Sequence, residues 1–293
     1  MLEVVAGITG FDGLVIALKA MTYGALLVAA GSILVSLTIA GVPLQERRFL
    51  RRVAAGLAPA ILVALLARLM LEAVFLAGND WSAALDAQLL GLLATGPMGK
   101  TLGLQGLGAG LLVAALMPGT RGVVVSLVGV ALIAGAFAFG GHVSNTPSAL
   151  DNALLVVHML CLAFWVGIFL PLERLSTQPG DAAARVADDF GEKAPVVVGL
   201  LLVAGALTLD RLTGGVIAAL QTPYGQLFAL KLVTFAGVLW LAALNKRRYT
   251  PALIAERPGA RRRLRRSLHI EAAAIGVIVL VSASLTTLTG PSG

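Results

Sequence analysis

Charge is what this 293-residue sequence has least of: only 13 % of its residues are Asp, Glu, Lys or Arg, against 58 % hydrophobic, and mean hydropathy is +0.92. A water-soluble chain of this size cannot hide so much apolar surface, so a soluble globular class is excluded. Cysteine is scarcer still. The single Cys161 rules out an intrachain disulfide within the sequence and leaves the redox compartment open. Histidine occurs three times, at 142, 158 and 269, and there is no histidine-rich tail or methionine-rich tract. The sequence also lacks a P-loop, an EF-hand, a CxxC pair, a dinucleotide fingerprint and HExxH, so nucleotide-driven pumping is not encoded in it. No catalytic constellation emerges, and the expectation is a protein that is not an enzyme.

What is present is a series of long apolar runs. Eight candidates fall at roughly 14 to 40, 53 to 77, 100 to 117, 122 to 140, 151 to 172, 195 to 210, 226 to 244 and 268 to 289. The sixth is the weakest, which leaves a count of seven open. Hydrocarbon offers no partner to backbone N–H and C=O groups, and the runs are too long and too uniformly apolar for barrel strands. The expected fold is therefore all-α: a polytopic membrane helical bundle of about eight transmembrane helices, forming one membrane domain over 1–293. The first run lacks a basic n-region and a convincing cleavage site, and is read as a retained helix rather than a signal peptide. Glycine-rich stretches such as GLQGLGAG and AGALTLDRLTGG permit close helix–helix approach.

Basic residues alternate between loops. Loops 41–52, 118–121, 173–194 and 245–267 carry nearly all of the Lys and Arg outside the runs, the last with nine; loops 78–99, 141–150 and 211–225 hold only Arg211. The positive-inside rule makes the first set cytoplasmic and puts both termini on the periplasmic side. The net charge of +7 is thereby explained by topology and contact with anionic membrane lipids, not by nucleic acid. In loop 78–99, Trp81, Asp80 and Asp86 fit an interfacial cap, and loop 173–194 reads as a short surface helix between turns.

Two histidines stand out. His142 closes the fourth run, and His158 lies inside the fifth, roughly 10 Å beyond a helix start near Asp151 at 1.5 Å per residue. An ionisable side chain at that depth faces protein or a wet cavity, and neutral imidazole ligates copper, zinc or iron. Met159 and Cys161 are secondary metal candidates, with Met21, Met70 and Met98 toward the same half; thioether and thiolate suit Cu(I). His158 and Met159, however, point in different directions on one helix. Asn145, Asp151 and Asn152 are placed to cap the helix or to bond an imidazole. Among the other charges in the runs, Arg68 and Glu72 are four residues apart and form a candidate structural ion pair. Lys19 and Lys231 are placed to snorkel, and His269 and Glu271 sit at the inner end of the eighth run.

Taken in order, GH at 141–142, HMLCLAFWVGIFLPL at 158–172 and YGQLFALKLVTFAGVLWLAALNKRRYTPAL at 224–253 resemble the bacterial copper resistance D family of inner-membrane proteins. The resemblance covers essentially the whole chain. It implies copper transport or uptake across the bacterial cytoplasmic membrane, copper being the bound or transported ion, through a path opening at the outer face. It supports His142 and His158 as functional histidines, and Trp165, Gly167, Tyr224, Gly225, Lys231 and Asn245 as family-pattern residues. The sequence departs from the pattern at GHVSNTPSAL and at WVGIF. A separate periplasmic copper-binding protein is the implied partner, since no fused copper-binding domain is evident. Two other classes stay open on the residues alone: a haem-binding electron-transfer protein, with histidines as axial ligands, and a noncatalytic copper-handling scaffold.

Overall fold

The computed structural model describes residues 9–139, 148–213 and 223–288, with side chains over 9–139, 148–208 and 225–288. Eight helices are long and apolar enough to cross a membrane, and no strand occurs among the described residues. The first, α1 (Gly10–Thr38), opens on a capping box: Thr9 Oγ1 accepts from the Asp12 N–H at 3.2 Å, while Thr9 N–H donates to Asp12 Oδ2 at 2.9 Å. A five-residue turn leads to α2 (Leu44–Leu76). The expected cytoplasmic loop 41–52 is thus mostly helix, because Arg47, Arg48, Arg51 and Arg52 continue the first turns of α2.

Between α2 and the third span the chain packs back against α2. A 3-10 turn (Trp81–Leu85) is followed by α3 (Ala87–Thr95). Asp80 Oδ1 accepts from the Ser82 N–H and Asp86 Oδ1 from those of Gln88 and Leu89, so each acid caps the element it precedes. The Ser82 N–H holds the Asp80 carboxyl below the usual carboxylate range. Trp81 is exposed and meets Phe11 edge-on at 6.0 Å. Then come α4 (Pro97–Leu111), extended by a 3-10 turn to Leu116, and α5 (Gly119–Ala136), which ends in another at Phe137–Phe139.

The second half comprises α6 (Ala149–Gly167), α7 (Phe169–Ser176), α8 (Ala182–Thr213), α9 (Pro223–Leu244), a π-helical segment (Asn245–Tyr249), α10 (Thr250–Ile254) and α11 (Ala260–Leu288). Ser148 caps α6, its Oγ accepting from the Asp151 N–H at 3.1 Å. The cap is therefore Ser148, with Asp151 one turn inside. The expected short surface helix in 173–194 is instead the start of α8, which runs unbroken through Pro195 into the sixth span. Its first turns put Ala183 and Val186 inward and Arg185 and Asp188 outward, an amphipathic pattern that a hydropathy window scores as loop.

Helix α1 packs against α2, α6 and α11. Two crossings depend on paired glycines. A Cβ on Gly31 would fall on the Ala163 carbonyl oxygen and 2.8 Å from the Gly167 nitrogen, and one on Gly108 would lie 2.7 Å from the Gly129 carbonyl oxygen. Such contact brings backbones together where lipid supplies no hydrophobic drive for association. By contrast, α8 and α9 bury little of their apolar surface within the bundle and present Val203, Val233 and Trp240 outward.

The basic end is tied by polar contacts. Glu46, almost fully buried, accepts from Arg174 Nε at 2.9 Å and Nη2 at 3.3 Å, and the guanidinium lies 3.8 Å from the Phe49 ring centroid. Glu173 takes Arg265 at 2.8 Å and His269 at 3.0 Å. Arg174→Ala would leave the Glu46 carboxylate buried and unpaired. We expect a loss of about 2 kcal/mol, below the range for fully buried pairs because Arg174 is partly exposed. Heating in detergent with a thiol-reactive fluorogenic dye measures it, since unfolding uncovers the lone buried Cys161.

Candidate functional site

Helix α6 carries the first three candidates. With the helix starting at Ala149, His158 lies about 14 Å along it, nearer mid-membrane than the estimate from Asp151. Its imidazole faces α8: Nδ1 is buried with no hydrogen-bond partner, and a Cβ on Gly205 would lie 3.5 Å from Nδ1 and Cε1, so the glycine makes room for the ring. The Leu201 backbone and the Lys231 ammonium are its polar neighbours. His142 lies outside the described residues, as do Gly141 and Asn145.

The soft donors divide. Cys161, one turn beyond His158, packs in the cluster of Trp165, Leu201, Val238, Ile275 and Ile278, between α6, α8, α9 and α11. Met159 faces the opposite way, into the cluster of Leu26, Leu27, Val130 and Ile133. The 100° step between successive helical residues puts it there. Met21 is 71 % exposed, and Met98 lines a cavity elsewhere in the bundle. Among the described residues no group of three or more His, Cys, Asp or Glu is placed to hold a metal ion. The structure thus sets His158 and Cys161 toward the same helices and takes Met159 away from them.

The family-pattern residues occupy structural joints. Gly167 is the α1 crossing point described above. Trp165 is 2 % exposed and hydrogen-bonds the Glu271 carboxylate of α11, to which Asn245 Nδ2 also donates. Lys231 lies 5.9 Å from the Phe228 ring centroid as well as near His158. Gly225 is buried, and the Tyr224 side chain lies outside the described ones. Glu271 is the residue the linear pattern does not single out as a site: at 3 % exposure it is the acceptor on which two of the pattern residues converge. Its signal in the sequence is a lone acid just inside an apolar run. Asn245 opens the π-helical segment, a form often found at functional sites.

The expected pair of Arg68 with Glu72 is not what the side chains do. No ion pair joins them among the described residues. Arg68 instead crosses to α1, lies 5.3 Å from the Tyr23 ring centroid and hydrogen-bonds its hydroxyl, while Glu72 acts electrostatically on Lys19. The quadrupole and hydroxyl of Tyr23 offer the guanidinium a partner on a neighbouring helix that the i,i+4 spacing does not reveal. Lys19, expected to snorkel, bonds the Thr286 carbonyl at 3.0 Å and Thr287 Oγ1 at 3.4 Å.

Eight helices of membrane-spanning length, with a histidine and a thiol turned toward the same packed helices, define a multi-pass helical membrane protein with donors suited to a soft metal. Comparison with family models makes this specific: residues 10–151 match "Copper resistance protein D-like, N-terminal domain" and residues 184–285 match "Copper resistance protein D". The chain belongs to the copper resistance protein D family and is a membrane protein related to copper resistance. No curated protein and no solved structure matches it.

Proposed function

We propose that the chain is a transporter, not an enzyme, that passes copper ions across the bacterial cytoplasmic membrane along a path marked by His142 and then His158. Both termini are periplasmic in this reading, and a separate periplasmic copper-binding protein delivers the ion. The observation that carries it is the buried His158 Nδ1, unpartnered near mid-membrane in a chain of a copper resistance family. An imidazole nitrogen without a partner is a ready ligand, and Cys161 supplies a soft donor one turn on along the same helix. Lys231 adds a positive charge near His158 and works against a resident cation, which suits brief occupancy over storage.

Copper flux into proteoliposomes tests the reading, under reducing and non-reducing conditions. His158→Ala is expected to reduce flux at least about tenfold, the size of one lost transient site worth about 1.4 kcal/mol. The double variant His142→Ala/His158→Ala should abolish flux. Undiminished flux through the folded double variant would overturn the assignment; a Soret band in the pure protein would replace it with haem binding.

A further inference from the structure

Helix α6 carries one stripe that continues past the copper donors. His158, Cys161 and Trp165 follow at spacings of three and four and share a face, with Trp165 two turns, about 10 Å, beyond His158. At that level Trp165 meets Glu271 of α11, and Asn245 donates to the same carboxyl from the start of the π-helical segment.

Both partners are neutral. No Lys, Arg or His among the described residues pairs with Glu271, although the residue is 3 % exposed. The charged groups on the surrounding elements are engaged elsewhere or turned to the surface. On α7, Arg174 holds Glu46, and Glu173 takes Arg265 and His269 of α11 itself. On α8, Lys193 pairs with Asp189. Lys246, Arg247 and Arg248 of the π-helical segment are exposed, Tyr249 packs at the basic end, and α10 has no charged side chain. Lys231 of α9 sits by His158, and Lys19 of α1 is at Thr286, about four turns further along α11.

A carboxylate without a countercharge is costly inside a spanning helix, whereas the neutral acid is not. The neutral acid also has an O–H to place, and an acceptor lies at hand. Asn245 Oδ1 is buried without a partner on the same amide whose Nδ2 donates to Glu271. A carboxylic acid and a primary amide pair through two hydrogen bonds, N–H to the acid carbonyl and O–H to the amide carbonyl. One turn back on α11, toward the basic end, Ser267 Oγ is likewise buried and unpartnered, a hydroxyl able to accept a proton and pass one on. A metal ion does not suit the place, since two N–H donors already point at the carboxyl.

We infer that Glu271 is a proton-binding site, and that a cation held at His158 loosens its proton. The acid then ionises to carboxylate, the proton leaves by Ser267 to water at the basic end, and nothing is oxidised or reduced. Trp165 and Asn245 keep their bonds to the carboxylate, and the interior exchanges one positive charge for another. Across about 10 Å of protein interior, a unit charge weakens the hold on a proton by about tenfold. That the cation is copper rests on the function proposed above; the proton site does not.

Infrared difference spectra of purified protein, wild type minus Glu271→Gln, test this. Metal-free wild type at neutral pH should show the carbonyl band of a protonated carboxyl, moving on transfer to D2O. Glu271→Gln cannot ionise but supplies an N–H to Asn245 Oδ1, so it should melt close to wild type, which separates a lost proton from a lost fold. Cu(I) added under ascorbate, with bound metal counted in the same sample, should lower the pH at which the acid band gives way to carboxylate by about one unit. His158→Ala should keep the metal-free titration and lose the shift. A carboxylate at Glu271 in metal-free protein at neutral pH would overturn the inference. So would a titration that bound Cu(I) leaves in place, or a shift that persists in His158→Ala. A wild type that binds no Cu(I) would overturn the copper reading, and the coupling with it.

Discussion

Gly31→Ala should destabilise the bundle by at least about 3 kcal/mol, the upper end of the cost of overpacking, because the obstacle is backbone and not a side chain that can turn aside. The new methyl would occupy the position of the Ala163 carbonyl oxygen, so α1 and α6 must move apart along their contact. Gly167→Ala meets the same obstacle from the other side, against the Gly31 backbone. Gly24 lies on the same helix as Gly31, with nothing within 4 Å of its would-be Cβ. Gly24→Ala should therefore melt at or above the wild-type temperature, since alanine is the better helix former by about 1 kcal/mol. Melting of the three variants in detergent, followed through Cys161, checks both statements. If Gly31→Ala melts with Gly24→Ala, the close crossing is absent.

Glu271→Ala is expected to cost about 2–5 kcal/mol, from two donors left without an acceptor and a small void. Trp165 and Asn245 both bond the Glu271 carboxylate inside the bundle, and Asn245 Oδ1 is itself buried without a partner. Removing the acceptor thus strands groups on α6 and after α9 together. Glu271→Gln keeps an acceptor of nearly the same shape and adds an N–H that Asn245 Oδ1 can accept. It should recover all but about 1 kcal/mol of the loss. A double-mutant cycle between Glu271→Ala and Asn245→Ala measures the coupling. Strict additivity would mean that the two side chains do not act on one another.

The spans were legible in the sequence because hydrocarbon makes one demand of every spanning segment, and apolar length answers it. The start of α8 was not, since Ala183 and Val186 pack at the basic end while their neighbours stay in water, so local hydropathy there averages to that of a loop. Within the candidate site, single-helix geometry was readable: the separation of Met159 from His158 follows from the helical period. Partners between helices were not. Arg68 and Glu72 have the spacing of a pair, yet Tyr23 is on the next helix and takes the guanidinium. The meeting of Trp165, Asn245 and Glu271 likewise depends on how three helices lean together, which no local pattern records.

The π-helical segment fixes more than a local shape. Its defining bond runs from the Thr250 N–H to the Asn245 carbonyl, five residues back, so the chain carries one residue more than a regular α-helical turn would hold. A π turn holds that extra residue within about the rotation that an α-helical turn sweeps with one fewer, so the helix on either side of the segment keeps its facing. Asn245 thus faces Glu271 while α10 packs into the basic-end core, with the surplus residue held between them. Among related chains, a one-residue gap across 245–249 would therefore close as an ordinary α-helical turn, with no compensating insertion nearby.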